Sequence, residues 1–455
     1  MSSRHTAENR FLTAPIGRLF WTNALPMTLI MLMSGLLSLV DAVFLGRFVG
    51  TEALTAVSVV FPLVMVTIAV SSLVSGGMSS LLARSLGARD FAAAEMVFAR
   101  AHGLALALAG LLILGFLVAG RAIAQRLAGG DPGIASMAWT YMAITIGATP
   151  LQFWLGLHGD AVRNEGRAGI MALLSVGVTL ANVALNYLLI VRLELGVAGS
   201  AWGTVGAQAL GLAFLLFLRL RGCLVPLRAL VTRRWSGGWG PILTLGAPMS
   251  LSFIGMALVS AIVIATLRGT AGTEYAPAVT AYGIVTRLLG FAFLPILALG
   301  LTTQSIVGNN AGAGLQARAD ASLRLALLTV AAYCALVEAV LLGAGSRLGA
   351  AFVDDPEVVA RVGGIVATIA VLYVVQGPIL VLAMAFQALG QAGRAAALTL
   401  VRPFLLMPVL VGGLGFGLGA GAIWYAFPLA DVIVATLALM LLWSGRRSGT
   451  AARPA

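Results

Sequence analysis

The chain alternates long apolar runs with short polar stretches along nearly its whole length. About twelve apolar segments can be counted, each close to the roughly 20 residues that a helix needs to cross a bilayer core. The predicted segments are 16–46, 52–80, 92–121, 133–157, 168–191, 197–220, 240–267, 276–305, 320–345, 357–387, 396–414 and 419–443. Continuous runs favour helices, because barrel strands alternate apolar and polar residues over roughly ten positions. The pattern predicts an all-α integral membrane protein.

Composition supports a surface that faces lipid. Of the 455 residues 60% are hydrophobic and only 10% are charged, whereas a soluble domain carries about 25% charged residues. So few charges could not cover a surface that faces water. The chain is therefore predicted to be a multi-pass protein of the inner (plasma) membrane, with the lipid bilayer as its main partner and the monomer as its expected state.

The positive charge indicates topology rather than nucleic-acid binding. The formal net charge is +12, and all 28 basic residues are arginines scattered in short loops without interleaved aromatic residues. With the N-terminus inside, 20 arginines lie on the cytoplasmic side, 7 lie outside, and Arg287 lies within a span. This split predicts that both termini are cytoplasmic. The first apolar segment is too long for a cleavable signal core, so we expect it to be retained as a helix.

The two halves of the sequence repeat. Residues Leu54–Glu95 align without gaps on Val279–Asp320 at an offset of 225, and Pro26 aligns with Pro248. Two copies of six segments that both start inside are related by an axis along the membrane normal, and such transporters bind substrate between their repeats. The predicted domains are an N-lobe at 1–220, a cytoplasmic linker at 221–239 and a C-lobe at 240–455.

Asp41 is the outstanding candidate for function. It lies toward the outer end of the first segment, and an ionised carboxylate is costly at membrane depth. Its repeat counterpart is Val263, so the shared helix geometry does not require an acid. Burial favours the neutral acid and would bring proton exchange toward physiological pH. Alternatively, Asp41 simply ends the helix at the interface. Pro26 lies fifteen residues earlier and predicts a kink, which is either static or coupled to protonation.

Polar residues of neighbouring segments are candidate partners for this acid. Asn182 and Asn186 are four residues apart and share a helix face, Thr204 lies in the sixth segment, and Tyr141 lies in the fourth. Amides and hydroxyls at membrane depth need hydrogen-bond partners. We expect them either to form a polar network with Asp41 in an N-lobe cavity or to hold helices together.

Three further charged residues lie inside apolar segments: Arg287, Glu338 and Asp431. Each is a possible secondary transport residue, a member of a structural ion pair, or a side chain that reaches toward the interface. The two cysteines and three histidines are far apart in sequence, so neither a metal site nor a cofactor is expected. No cluster of acid–base or nucleophilic residues indicates an enzyme.

Four motifs together resemble the multidrug and toxic compound extrusion (MATE) family over nearly the whole chain. They are SLVDAVFLGRFVGTEALTAVS at 38–58, SLGARDFAAAE at 85–95, the pair NVALNYLLI and LGVAGSAWGT between 182 and 204, and QSIVGNNAGAGLQARA at 304–319. The resemblance implies twelve helices in two pseudo-symmetric six-helix lobes that form a V around a central cavity. It further implies that organic, often cationic or amphipathic, compounds are exported by alternating access while protons or sodium ions enter.

The resemblance also extends to individual residues. Asp41 matches the acid of the family's first helix, Pro26 matches the proline whose bend is linked to it, and Asn182, Thr204 and, less closely, Tyr141 match polar cavity positions. Many members have an acid where this chain has Asn186. The sodium-coupled branch has acids in two C-lobe helices where this chain has none. The resemblance therefore favours proton-coupled antiport with Asp41 as the protonation site.

Two alternatives stay open at the level of sequence. One is sodium-coupled antiport of the same substrates. The other is a flippase for lipid-linked oligosaccharides, from a related superfamily with the same lobes. A flippase would need a strongly cationic cavity for pyrophosphate, and the membrane interior offers little positive charge apart from Arg287.

Overall fold

Every element in the described part of this computed structural model, residues 9–353 and 355–451, is helical. Both chain ends used in the topology prediction, residues 1–8 and 452–455, lie outside the described residues. The main helices, numbered in chain order, are α1 Ile16–Phe44, α2 Thr51–Gly87, α3 Phe91–Leu127, α4 Pro132–Gly147, α5 Thr149–Asn164, α6 Ala168–Asn186, α7 Gly196–Arg221, α8 Gly240–Thr270, α9 Tyr275–Gly312, α10 Gln316–Ala350, α11 Pro356–Ile369, α12 Tyr373–Ala388, α13 Ala392–Leu400, α14 Met407–Leu418 and α15 Ala426–Ala451.

The predicted all-α membrane architecture is confirmed. Among the described residues, ten helical spans are long and apolar enough to cross a membrane, and the α11–α12 pair makes an eleventh. That pair is bent by 55°, and Leu372 between its helices has a φ of 70°. The remaining predicted segment, 133–157, is divided at Ala148 into α4 and α5, each of 16 residues. Internal hydrogen bonding within helices satisfies backbone groups that lipid cannot.

Aspartate side chains cap the N-termini of three helices. Asp90 accepts a hydrogen bond from the Ala93 backbone N–H at the start of α3, and Asp131 accepts from Gly133 and Ile134 at the start of α4. Asp355 does the same for Glu357 at α11. These acids occupy the position where a side-chain oxygen satisfies otherwise unpaired helix N–H groups.

Exposed apolar side chains match a lipid-facing surface. Leu111, Leu117 and Val118 on α3 are 64%, 74% and 82% exposed, respectively. A water-soluble protein rarely exposes such contiguous apolar surface.

The chain forms two compact units. The first runs to Ser250 and also contains Gln304–Ala319 and Ala388–Gly390, and the second contains the rest. A core around Met78, Phe98 and Phe153 fills part of the first unit. In the second unit, a core forms around Val263, Val362 and Trp424. The predicted boundaries at 220 and 240 stay a prediction.

The predicted linker, 221–239, packs onto the first unit. Arg219 donates to the Val225 carbonyl at 2.6 Å, and Glu165 accepts from the Val225 backbone N–H at 3.3 Å. Arg233 forms an ion pair with Glu95 at 2.9 Å. Because these contacts anchor the linker at both ends, it is not a free tether.

Candidate functional site

Asp41 lies near the C-terminal end of α1, one turn before a π-helical turn at Leu45–Val49. Gly50 ends this turn with a φ of 123°, a conformation that favours glycine, and α2 begins directly afterwards. The Asp41 side chain is half-buried. π turns occur often at functional sites, because they redirect side chains within a helix.

Three polar side chains form a closed hydrogen-bonded ring with the Asp41 carboxylate. Asn186 Nδ2 donates to Asp41 Oδ1 at 2.6 Å, and the Thr204 hydroxyl donates to Asp41 Oδ2 at 3.2 Å. Asn186 Nδ2 also donates to Asn182 Oδ1, and Asn182 Nδ2 donates to the Thr204 hydroxyl, both at 3.1 Å. The structure therefore brings together Asp41, Asn182, Asn186 and Thr204 from α1, α6 and α7.

Helix geometry explains how α6 and α7 supply these groups. Asn182 and Asn186 lie one turn apart on α6, and both are wholly buried. Gly203 faces them from α7, where a β-carbon would overlap with Asn186 Oδ1. In this ring a glycine is needed at position 203 because the Asn186 amide occupies the space of any side chain. Small residues four apart, such as Gly199 and Gly203, are typical of close helix packing, but their spacing does not predict this role.

Apolar residues border the ring, and no cation from the described part of the chain joins it. Leu45, Ala53 and Val197 form a buried cluster one turn beyond Asp41, and Tyr141 packs against it. Within the described residues, neither an arginine nor a histidine pairs with Asp41, and Tyr141 makes no hydrogen bond to it. The carboxylate therefore depends on neutral donors.

The Asn186 amide allows the ring to adapt to a change of charge. Its Oδ1 is buried and has no hydrogen-bond partner among the described residues. Rotating this amide by half a turn would present the oxygen to Asp41 in place of the NH2 group, with loss of the hydrogen bond from Asn186 to Asn182 Oδ1. The ring can thus donate to a carboxylate or accept from a protonated acid.

The chain matches one family model twice. The model, MatE, covers residues 26–188 and 248–411, one stretch in each predicted half and together well over half of the chain. The chain belongs to the MatE family. The two matches confirm the internal repeat that the sequence predicts.

Known proteins align with this MatE protein over nearly its full length. The FAD transporter of Shewanella oneidensis is 26% identical over 445 residues, which is 95% of each chain. Multidrug export protein MepA of Staphylococcus haemolyticus is 25% identical over 434 residues, covering 93% of this chain and 92% of that protein. The family places the chain among multi-pass membrane transporters of the multidrug and toxin efflux type, and not among enzymes.

Solved structures share the fold. A multidrug resistance MATE family transporter of the MOP superfamily, in an outward-facing conformation, superposes with a TM-score of 0.88 at 21% identity over 99% of both chains. A MOP superfamily transporter from Pyrococcus furiosus does so with a TM-score of 0.87, again at 21% identity over 99% of both chains.

Pro26 lies away from the ring of this MatE transporter. Helix α1 continues through it, although a proline cannot donate the backbone hydrogen bond of its turn. In the preceding turn the buried Asn23 side chain donates to the Leu19 carbonyl at 2.8 Å. A role of Pro26 in bending therefore stays a prediction.

The three secondary candidates have different surroundings. Arg287 on α9 is exposed and forms no ion pair with any described residue. Glu338 on α10 accepts backbone hydrogen bonds from Leu372 at 3.3 Å and Val374 at 2.8 Å, so it stabilises the break between α11 and α12. Asp431 on α15 forms an ion pair with Arg402 at 2.8 Å.

Arg402 is one of the 20 arginines that the sequence predicts on the cytoplasmic side, although it lies inside the predicted segment 396–414. The structure corrects this, because Arg402 lies in the π-helical turn Val401–Leu406 that joins α13 to α14 and pairs with Asp431. An arginine within an apolar span was the available signal.

The described residues contain no group of three or more histidine, cysteine, aspartate or glutamate side chains that could hold a metal ion. Cys223 and Cys334 are both free thiols.

Proposed function

We propose that this MatE protein exports small organic compounds in exchange for protons, with Asp41 as the residue that binds the proton. It acts in the plasma membrane as a monomer whose two termini are cytoplasmic, and it transports its substrate by alternating access to the two sides. Pro26 and Tyr141 belong to the same N-lobe machinery, the first as the bend of α1 and the second as a cavity residue.

A single observation carries the proposal: Asp41 is half-buried, and its hydrogen-bond partners among the described residues, Asn186 and Thr204, are neutral. A nearby cation would hold the carboxylate in its charged form. Neutral donors with one adaptable amide accommodate both protonation states. Such a residue can gain and lose a proton during a transport cycle.

The cycle couples this proton to substrate release. In the outward-open state Asp41 takes up a proton and the substrate leaves. The protein then converts to its inward-open state, where the proton is released and new substrate binds. For a neutral substrate, the exchange carries one net charge inward, and one charge that crosses about 100 mV supplies ~2.3 kcal/mol. This supports roughly a fifty-fold substrate gradient, since tenfold corresponds to ~1.4 kcal/mol.

The names of relatives support a small organic substrate. They include a FAD transporter and a multidrug export protein. We propose amphipathic organic compounds, often cationic, as substrates.

The experiment uses protein reconstituted in liposomes, with pH and sodium gradients imposed separately and a fluorescent organic cation as the reporter. We expect a pH gradient to drive transport and a sodium gradient alone to have no effect. Asp41→Asn should abolish gradient-driven transport while the protein remains folded and inserted. Asp131→Asn is the matched control, because asparagine also caps a helix and Asp131 lies in a loop outside the ring.

Two results would reject the proposal. Full activity of Asp41→Asn would exclude Asp41 as the coupling residue. Transport that follows the sodium gradient and ignores pH would establish the sodium-coupled alternative.

A further inference from the structure

A second polar cluster lies wholly within the second unit. Gln376 Nε2 donates to Asp431 Oδ2 at 2.9 Å, and Arg402 Nε lies 2.8 Å from Asp431 Oδ1. Helices α12 and α15 and the turn between α13 and α14 supply the three residues. Each residue lies well inside an apolar span, far from the span ends.

The two charged partners differ in accessibility. The Asp431 side chain is 1% exposed, whereas the Arg402 side chain is 28% exposed. Their contact is close, but it is not aligned as a hydrogen bond, since Arg402 Nε and Asp431 Oδ1 both lack one. Within the described chain, no residue accepts a hydrogen bond from Nη1 or Nη2 of Arg402. The guanidinium thus keeps unused donors on an accessible side chain.

Local structure holds the guanidinium in place. The π-helical turn Val401–Leu406 includes Pro403, whose ring occupies the space beside Gly255 of α8. The Arg402 guanidinium carbon lies 5.9 Å from the centre of the Phe427 ring. A charged arginine is costly against hydrocarbon, and arginines within spans almost always face the bundle interior or a water-filled cavity.

We propose that Arg402 binds an anionic group of the substrate, a carboxylate or a phosphate, and that Asp431 is the internal counter-ion that competes with it. A guanidinium with two free amino groups matches the two oxygens of such a group. Asp431 holds the arginine while the site is empty. This inference rests on the proposed function and deepens it, because it adds a substrate class to an organic exporter.

Opposite effects of two substitutions distinguish this site from a purely structural ion pair. Arg402→Gln removes the anion-binding group and should weaken binding of an anionic substrate. Asp431→Asn removes the competitor and should strengthen it. A structural pair would lose function in both variants, because either change leaves one charge without its partner.

The test measures binding of rhodamine B, which carries a free carboxylate, and of its methyl ester to purified protein by fluorescence anisotropy. We expect Arg402→Gln to weaken rhodamine B binding by at least about tenfold and to change ester binding by less than about twofold. Asp431→Asn should tighten rhodamine B binding by about threefold or more. Competition by benzoate and by phenyl phosphate then separates carboxylate from phosphate recognition.

The double variant Arg402→Gln with Asp431→Asn separates a loss of binding from a loss of folding. It replaces both charged groups with neutral ones, so no charge stays buried without a partner. It should elute as a monodisperse protein and show the weak rhodamine B binding of Arg402→Gln. Equal effects on both dyes in every variant would overturn the inference, as would no rhodamine B binding by the unaltered protein. Export of the ester under a pH gradient is measured separately. That result tests the proposed function, whereas the binding measurements test the role of Arg402.

Discussion

Asp41 and Asp431 are the same chemical group placed in two different environments, one in each unit. Asp41 is half-buried and accepts hydrogen bonds from Asn186 and Thr204, which are uncharged. Asp431 is fully buried and is held by Arg402 and Gln376. Both lie within apolar spans, so depth in the membrane does not distinguish them.

The difference lies in what each environment does to charge. An adjacent arginine supplies Asp431 with a counter-ion inside the span. Around Asp41, no described cation does this, and the Asn186 amide can serve either protonation state. The comparison indicates that the identity of the partners decides whether an intramembrane acid joins a neutral hydrogen-bonded ring or anchors a cation.

The largest effect on stability should come from breaking the charged pair. Arg402→Gln leaves Asp431 buried without a counter-ion, which costs about 3–5 kcal/mol in fully buried pairs. We expect about 2–3 kcal/mol here, because more than a quarter of the Arg402 side chain is exposed. SDS-driven unfolding in mixed micelles measures this change. Asp431→Asn in the same chain should recover most of the loss, and a single variant as stable as the original would show that the pair contributes nothing.

The next effect concerns the geometry of the neutral ring. Gly203→Ala should displace the Asn186 amide from Asp41 and reduce the rate of proton-driven transport by more than about tenfold. Gly206→Ala is the matched control on α7, since its β-carbon would meet only the end of the Leu185 side chain, at 3.0 Å. Equal rates in the two variants would mean that the ring tolerates a shifted Asn186.

A smaller effect should follow loss of one hydroxyl. Thr204→Val keeps the side-chain shape but removes the donor to Asp41, which is worth about 1–2 kcal/mol, or about fivefold to thirtyfold in a rate. Thr204→Ser restores the hydroxyl and should restore most of the activity. Transport rates at a fixed pH gradient give the comparison, and a fully active valine variant would remove Thr204 from the mechanism.

The smallest effect should be that of Asp41→Asn on stability. No cation loses its partner, and the asparagine side chain can still bond to Asn186 and Thr204. We expect the free energy of unfolding to change by less than about 0.5 kcal/mol, in contrast to Arg402→Gln. The same micelle assay measures it. A loss as large as that of Arg402→Gln would show that Asp41 has a structural role like that of Asp431.

Site residues could be predicted from the sequence where their polarity contrasts with that of their neighbours along the chain. Asp41 could be singled out because an acid within an apolar run is costly, and Asn182 and Asn186 share a face because a helix turns every 3.6 residues. Gly203 and Arg402 were missed as site residues. Their roles depend on side chains from other helices: Gly203 on Asn186, and Arg402 on Asp431. Glu338 was noticed, but its partners at the α11–α12 break were not foreseeable, because a helix break inside an apolar run leaves little trace in composition.

The sequence alone determined that the chain is a bundle of membrane-crossing helices in two repeated halves. Lipid accepts no unpaired backbone groups, so long apolar runs have to become helices whatever their neighbours are. Tertiary structure decided which acid meets which partner. Asp41 and Asn186 are 145 residues apart in sequence and 2.6 Å apart in the fold. Such contacts depend on how helices pack around their small residues, which no local pattern encodes.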